Sequence, residues 1–153
     1  MFGNVVRGAI AGAAGTTALN AATYLDMALR ARPASDIPQQ AVDELVQRAG
    51  HPVPGDGDAR QNRLDGLGPL GGIATGVGLG TTAGLFRPLL LRLPAGLGAV
   101  ALAAAAMAGA NGPLVRLGLT DPRSWSTADW MSDIVPHLAY GVVTRMALAA
   151  PGG

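Results

Sequence analysis

Five residues toward the C-terminal end, Asp129, Asp133, His137, Gly141 and Arg145, follow one another at intervals of four. On a helix that interval keeps side chains on one face, so carboxylates, an imidazole and a guanidinium would share a stripe. A carboxylate one turn before a histidine accepts its N–H and favours the protonated ring, an arrangement suited to a proton relay or a pH-sensitive gate. Pro136 lacks an N–H and frees the carbonyl of Ser132, an acceptor for water or a cation. The plainer alternative has Asp129 and Asp133 at an interface, Arg145 reaching toward the far side, and His137 hydrogen-bonding a neighbouring helix. A second polar patch, Asn20, Thr23, Asp26 and Arg30, closes an earlier apolar stretch. Asp26 and Arg30 form an i,i+4 pair worth about 0.2–0.5 kcal/mol on an exposed helix, so anchoring is their expected role. Asn20 lies deeper and reads as interhelical glue. If the two helices are neighbours, Asn20 or Asp26 meets the His137 stripe.

Other chemistries find little support. The chain has no cysteine, which excludes disulfides, thiolate catalysis and Cys-ligated zinc. It has no lysine, which excludes a P-loop. His51 sits in a proline-rich loop, and no serine stands in a nucleophile-elbow context. Steps of four residues climb about 6 Å each along a helix, too far for Asp129, Asp133 and His137 to share a metal. Asp56-x-Asp58 begins like a calcium loop, but Arg60 and Leu67 occupy ligand positions. All eleven basic residues are arginines, they are scattered, and the net charge is +1, so there is no basic face for nucleic acid. The reading is therefore of a non-enzyme with no metal and no cofactor.

The elements that carry these residues are marked by where charge is missing. Gly8–Leu25, Gly66–Phe86 and Leu93–Val115 are uncharged for 18, 21 and 23 residues. About 20 helical residues cross a hydrocarbon core of about 30 Å, so three segments reach spanning length. A fourth, Ile134–Ala150, has 17 residues and carries His137 and Arg145. Alanine and glycine favour the bilayer only weakly, which leaves a soluble alanine-rich bundle as the alternative. The long segments lack the recurring charges of a soluble surface helix, and this favours the membrane.

Residues 66–84, GLGPLGGIATGVGLGTTAG, pose the sharpest question. Gly66-x-Gly68-x-x-Gly71 matches the dinucleotide fingerprint, yet no strand precedes it and no acid follows about 20 residues on. Its spacing gives another reading: Gly68, Gly72, Gly76, Gly80 and Gly84 recur every four residues and form a smooth helical groove. Such faces let backbones approach closely inside a bilayer. The same interval joins Gly96, Val100, Ala104, Ala108 and Gly112, and also Gly8, Gly12, Thr16 and Asn20. The grooves serve packing within one bundle, or one is kept for a partner chain or a second copy.

These signals predict one all-α domain over residues 1–153, a membrane-embedded four-helix bundle with helices over 4–30, 58–86, 94–117 and 127–150. A short amphipathic surface helix over 37–49 is expected between the first two, with Asp36 and Gln39 as a capping box and Gly50 then Pro52 closing it. Residues 86–94 read as a tight turn, Asn111-Gly-Pro113 as a loosened helix end, and Trp125 and Trp130 as headgroup anchors. Four crossings put seven arginines on one side against four on the other, which places the two longer loops in the cytoplasm.

The run Gly118-Leu-Thr-Asp-Pro-Arg-Ser-Trp, then Asp-Trp-Met-Ser-Asp-Ile-Val-Pro-His-Leu-Ala-Tyr-Gly141, together with Ala-Thr-Tyr-Leu-Asp-Met-Ala-Leu-Arg-Ala-Arg-Pro-Ala-Ser in helix one, resembles small membrane proteins of actinobacteria with no established activity. The resemblance covers most of the chain and implies location and architecture only. The expected protein is a multi-pass component of the bacterial inner membrane, a structural or interaction subunit whose partners are the lipid bilayer and a membrane protein or a second copy of itself. The alternative is a small transporter or proton-conducting bundle built on Asp133, His137 and Arg145.

Overall fold

Alanine, leucine and glycine dominate between sparse breakers, and the chain folds almost wholly into helices. A computed structural model describes residues 2–151. The helices are α1 (Phe2–Arg30), α2 (Ile37–Arg48), α3 (Gly57–Leu85), α4 (Arg87–Leu90), α5 (Ala95–Leu117) and α6 (Thr127–Ala149), with a 3-10 turn at Pro122–Ser124. The four long helices lie within two residues of their expected bounds.

Local chemistry departs from expectation at several ends. Asp36 sits in helical geometry and its side chain caps nothing. The Ser35 hydroxyl, 3.2 Å from the Ile37 amide, accepts instead. Residues 86–94 hold the single turn α4 rather than a bare turn. Helix α5 runs through Pro113 to Leu117 and ends at Gly118, whose φ of 74° supplies the left-handed C-terminal geometry. That continuity matters, because it keeps Asn111 on a helix facing α6.

Helix α1 packs along both α3 and α6, α5 packs along α6 and also touches α3, where Gly109 meets the Leu79 side chain, and α2 covers the first half of α3. The α1–α3, α1–α6 and α5–α6 pairs run antiparallel. A Cβ at Gly12 would lie 2.7 Å from the Gly76 carbonyl oxygen and 2.9 Å from the Gly80 Cα. One at Gly8 would lie 2.8 Å from the Gly84 Cα. Backbone therefore meets backbone along the α1–α3 seam, where only glycine fits. The α3 ladder is divided among neighbours: Gly76, Gly80 and Gly84 face α1, Gly68 abuts the backbone of Pro38 and Gln39 in α2, and Gly72 faces open space.

On α5 the packing face is not the expected one. Gly96 and Gly112 face open space, and Val100 and Ala104 are exposed. The buried residues are Gly98, Ala99, Leu102, Ala103 and Ala106, chosen by Gly141 of α6. A Cβ there would lie 2.8 Å from the Ala103 amide nitrogen. Small residues surround α5 on every side, so spacing alone selects no face.

The interior is built largely from small residues, with few large apolar ones such as Leu64 and Leu102. Ala11, Ala83, Ala99, Ala103 and Ala106 are buried with Tyr140, Thr144 and Leu148, while Ile10, Leu97 and Met146 are 65%, 60% and 67% exposed. By length and composition, α5 alone among the described residues is long and apolar enough to cross a membrane. The other segments expected to span fall short of that measure: glycine and threonine stand where leucine and isoleucine would be in α1 and α3, and α6 carries Asp129, Asp133, His137 and Arg145.

Candidate functional site

Helix α6 carries two polar faces. The Asp133–His137–Gly141–Arg145 face turns to α5, and the Tyr140–Thr144–Leu148 face turns to α1. The spacing of four placed the first set on one stripe. What that stripe looks at was set by the packing of Gly141 on α5.

The components of the stripe separate into different tasks. Asp129 belongs to the start of the helix: its carboxylate accepts from the Ser126 amide at 2.9 Å and hydroxyl at 2.7 Å, and the Ser126 hydroxyl accepts from the Asp129 amide at 3.2 Å. This reciprocal capping box satisfies free donors of the first turn. The Ser126 hydroxyl, then its amide, hold the Asp129 carboxyl below the usual carboxylate range. Asp129 therefore ends a helix and joins no relay.

One turn on, Asp133 ties α6 to α5, accepting from the Asn111 amide at 2.8 Å. His137, 8% exposed, places Nδ1 2.7 Å from the Asp133 backbone carbonyl. A carbonyl only accepts, so Nδ1 is the donor in this contact. The Asp133 carboxylate is farther off, at 3.4 Å. The expected carboxylate–imidazole hydrogen bond is thus replaced by a backbone one, because Asn111 draws the carboxylate toward α5.

Arg145 stands two turns beyond His137, about 12 Å along the axis. Gly141, pressed against the backbone of Ala99 and Ala103, fills the space between them. Arg145 is 9% exposed and lies against Gly98, with Nη2 3.5 Å from the Leu93 carbonyl. Its Nε is buried without a hydrogen-bond partner. Asp133 and His137 are brought together, and Arg145 is not part of their cluster.

The patch at the end of α1 meets α6, but not at His137. Asp26 lies 2.5 Å from Arg32 Nε and 3.3 Å from Arg30 Nη1, and it accepts from the Ser132 hydroxyl at 3.1 Å. Arg30 Nη1 also donates to that hydroxyl at 2.6 Å. The Arg32 hydrogen bond is the main reason the Asp26 carboxyl is held below its ordinary range, with Ser132 and Arg30 adding to it. Asn20 is half-buried nearly two turns before Asp26, outside both clusters.

Between the two ends lies a junction that spacing did not single out. The Tyr140 ring, 1% exposed, crosses the face of Gly15, and its hydroxyl donates to the Gly76 carbonyl at 2.7 Å. Thr144, fully buried, lies 3.4 Å from the Ala11 carbonyl. Gly15 thus lets a tyrosine from α6 reach α3 across α1. Tyr140, Thr144 and Leu148 repeat at four-residue spacing, the one signal in the sequence that pointed to this face, and it went unused in the expectations drawn from the sequence. Asn111 and Ser132 carried no such signal, since each matters only through a partner on another helix.

These contacts define an all-α bundle cross-tied by single hydrogen bonds at several depths. Among the described residues, no three His, Asp or Glu side chains gather closely enough to hold a metal. In comparison with known proteins, no family model, curated protein or solved structure matches this chain.

Proposed function

We propose that the chain is a non-catalytic, multi-pass protein of the bacterial inner membrane, of the actinobacterial kind its sequence resembles, serving as a structural or interaction subunit. One observation carries the reading: most large apolar side chains face outward, and beside alanine and glycine the interior holds few of them, chiefly Leu64, Leu102, Tyr140 and Leu148. In water that distribution forfeits most of the hydrophobic stabilisation available to the sequence, about 25 cal/mol per Å² left exposed. In a bilayer, apolar side chains lose nothing by facing lipid, and close backbone packing with interhelical hydrogen bonds supplies the cohesion. The α1–α3 and α5–α6 glycine contacts are internal and support packing within one chain. Any partner or second copy would therefore dock on the apolar exterior or on α2.

The transporter alternative draws on the Asp133–His137 pair. The closed contact at Gly141 separates that pair from Arg145, which favours the structural reading. Membrane fractionation with alkaline carbonate extraction tests the proposal. The full chain should stay in the pellet and enter solution only with detergent, and affinity purification in mild detergent should retain a membrane protein or a second copy. Recovery of a detergent-free monomer from the soluble fraction would end it.

A further inference from the structure

The charges of the bundle are sorted by end. All ten acidic residues lie on or at the start of α2, at or within the first part of α3, or near the end where α1 finishes and α6 begins. The opposite end is formed by the start of α1, the α3–α4–α5 connection and the last turns of α6. It carries Arg7, Arg87, Arg92 and Arg145 and no Asp or Glu. Two of these arginines are engaged as caps: Arg87 donates from Nε to the Leu148 carbonyl at 2.7 Å, and Arg7 donates to the Ala150 carbonyl. They neutralise the negative end of the α6 dipole.

Arg145 has no such reason to be there. It is nine-tenths buried, its Nε lacks a partner, and it lies against Gly98 in the first turn of α5. The N-terminal end of a helix carries partial positive charge and unsatisfied N–H groups, and Pro94 provides no side-chain cap for α5. A guanidinium buried against a positive helix end, with no Asp or Glu side chain on that end of the bundle among the described residues, leaves two positive features without a side-chain counter-charge. Arg92, exposed and adjacent to the Leu93 carbonyl that Arg145 approaches, adds a third. Burying a charge without a counter-charge is strongly unfavourable. An oxyanion at this point would complete the hydrogen bonds of both the guanidinium and the helix end.

We infer that the acid-free end of the bundle binds a phosphoryl oxyanion, held by Arg145 and the first-turn amides of α5 with Arg92 at the rim. The group arrives on an anionic phospholipid headgroup or as a free phosphate. Because either source suffices, the inference fails or stands separately from the membrane reading.

The test uses the full chain in neutral detergent, titrated with short-chain phosphatidylglycerol, with inorganic phosphate, and with sodium chloride at matched ionic strength. Thermal midpoints and direct calorimetric titration are the readouts. Phosphatidylglycerol alone raising the midpoint assigns the site to a headgroup, and both phosphorus compounds raising it shows that the phosphoryl group is enough. Arg145→Lys, which keeps the charge but loses the planar fork, should weaken binding roughly tenfold, the equivalent of one charge-assisted hydrogen bond. Arg92→Gln, at an exposed position that leaves folding intact, should weaken it severalfold, while Arg48→Gln at the opposite end should not. No midpoint rise beyond the chloride control, or unchanged affinity in both Arg145→Lys and Arg92→Gln, overturns the inference.

Discussion

Gly12 of α1 and Gly72 of α3, each part of a four-residue ladder, should respond to alanine with opposite signs. Gly12 faces α3 so closely that an added methyl carbon would stand 2.7 Å from the Gly76 carbonyl oxygen and 2.9 Å from the Gly80 Cα. Unstrained carbon contacts need about 3.5–4.0 Å, and the opposing atoms are backbone, which cannot rotate aside. In Gly12→Ala the two helices must part by about 1 Å along a rigid seam, which also loosens Gly8 against Gly84. Overpacking of this kind costs about 1–3 kcal/mol, against about 0.5–1 kcal/mol regained from alanine's helix preference. The net loss reaches about 2 kcal/mol. Gly72 has no atom within 4 Å of its own added methyl, so Gly72→Ala keeps only the gain of about 0.5–1 kcal/mol. At about 2–4 °C per kcal/mol for a chain of this size, the two variants should differ in midpoint by about 5–12 °C. Thermal unfolding in mild detergent, followed by circular dichroism, measures this. Equal shifts of the same sign would refute the close α1–α3 seam.

Two further outcomes follow from the cross-ties. Tyr140→Phe removes the hydroxyl that reaches Gly76 and should cost about 0.5–1.5 kcal/mol without changing helix content; an unchanged midpoint would mean that bond does not form. Asp26, Asp43 and Asp129 all have carboxyls held below the ordinary range, chiefly by hydrogen bonds from Arg32, Arg60 and Ser126 respectively. Groups whose folded value is depressed stabilise the fold above the unfolded value of about 3.9 and lose that stabilisation as pH falls through the folded value. The thermal midpoint should therefore be level from neutral pH to about 5 and drop below about 4, with a smaller drop in Asp26→Asn; a midpoint independent of pH down to 3 would contradict the ion pairs.

Much of the helical plan was readable in order of sequence. The charge-free stretches located α1, α3 and α5 because a helix without charges has few ways to end except at a breaker. The ladder Gly68–Gly84 marked α3 as a packing helix, yet it could not assign Gly76, Gly80 and Gly84 to α1, Gly68 to α2 and Gly72 to nothing. Each of those outcomes depends on where another helix lies. Asp36 illustrates the converse error: the pattern of a capping box was present, but the backbone at Asp36 is helical and cannot direct the side chain at the amides of the next turn.

By itself the amino-acid sequence determined the four long helices, the short α2 and the Asp129–Arg145 stripe along α6. Those properties are local, fixed by helix period and by breakers along one segment. Only the tertiary structure decided that Asp133 meets Asn111, that Asp26 meets Ser132 and not His137, and that Arg145 is buried without a carboxylate. Such pairings depend on antiparallel register between helices. In this chain backbone contacts at Gly12, Gly80 and Gly141 fix that register, and small residues recurring on every face leave many registers equally plausible from spacing alone.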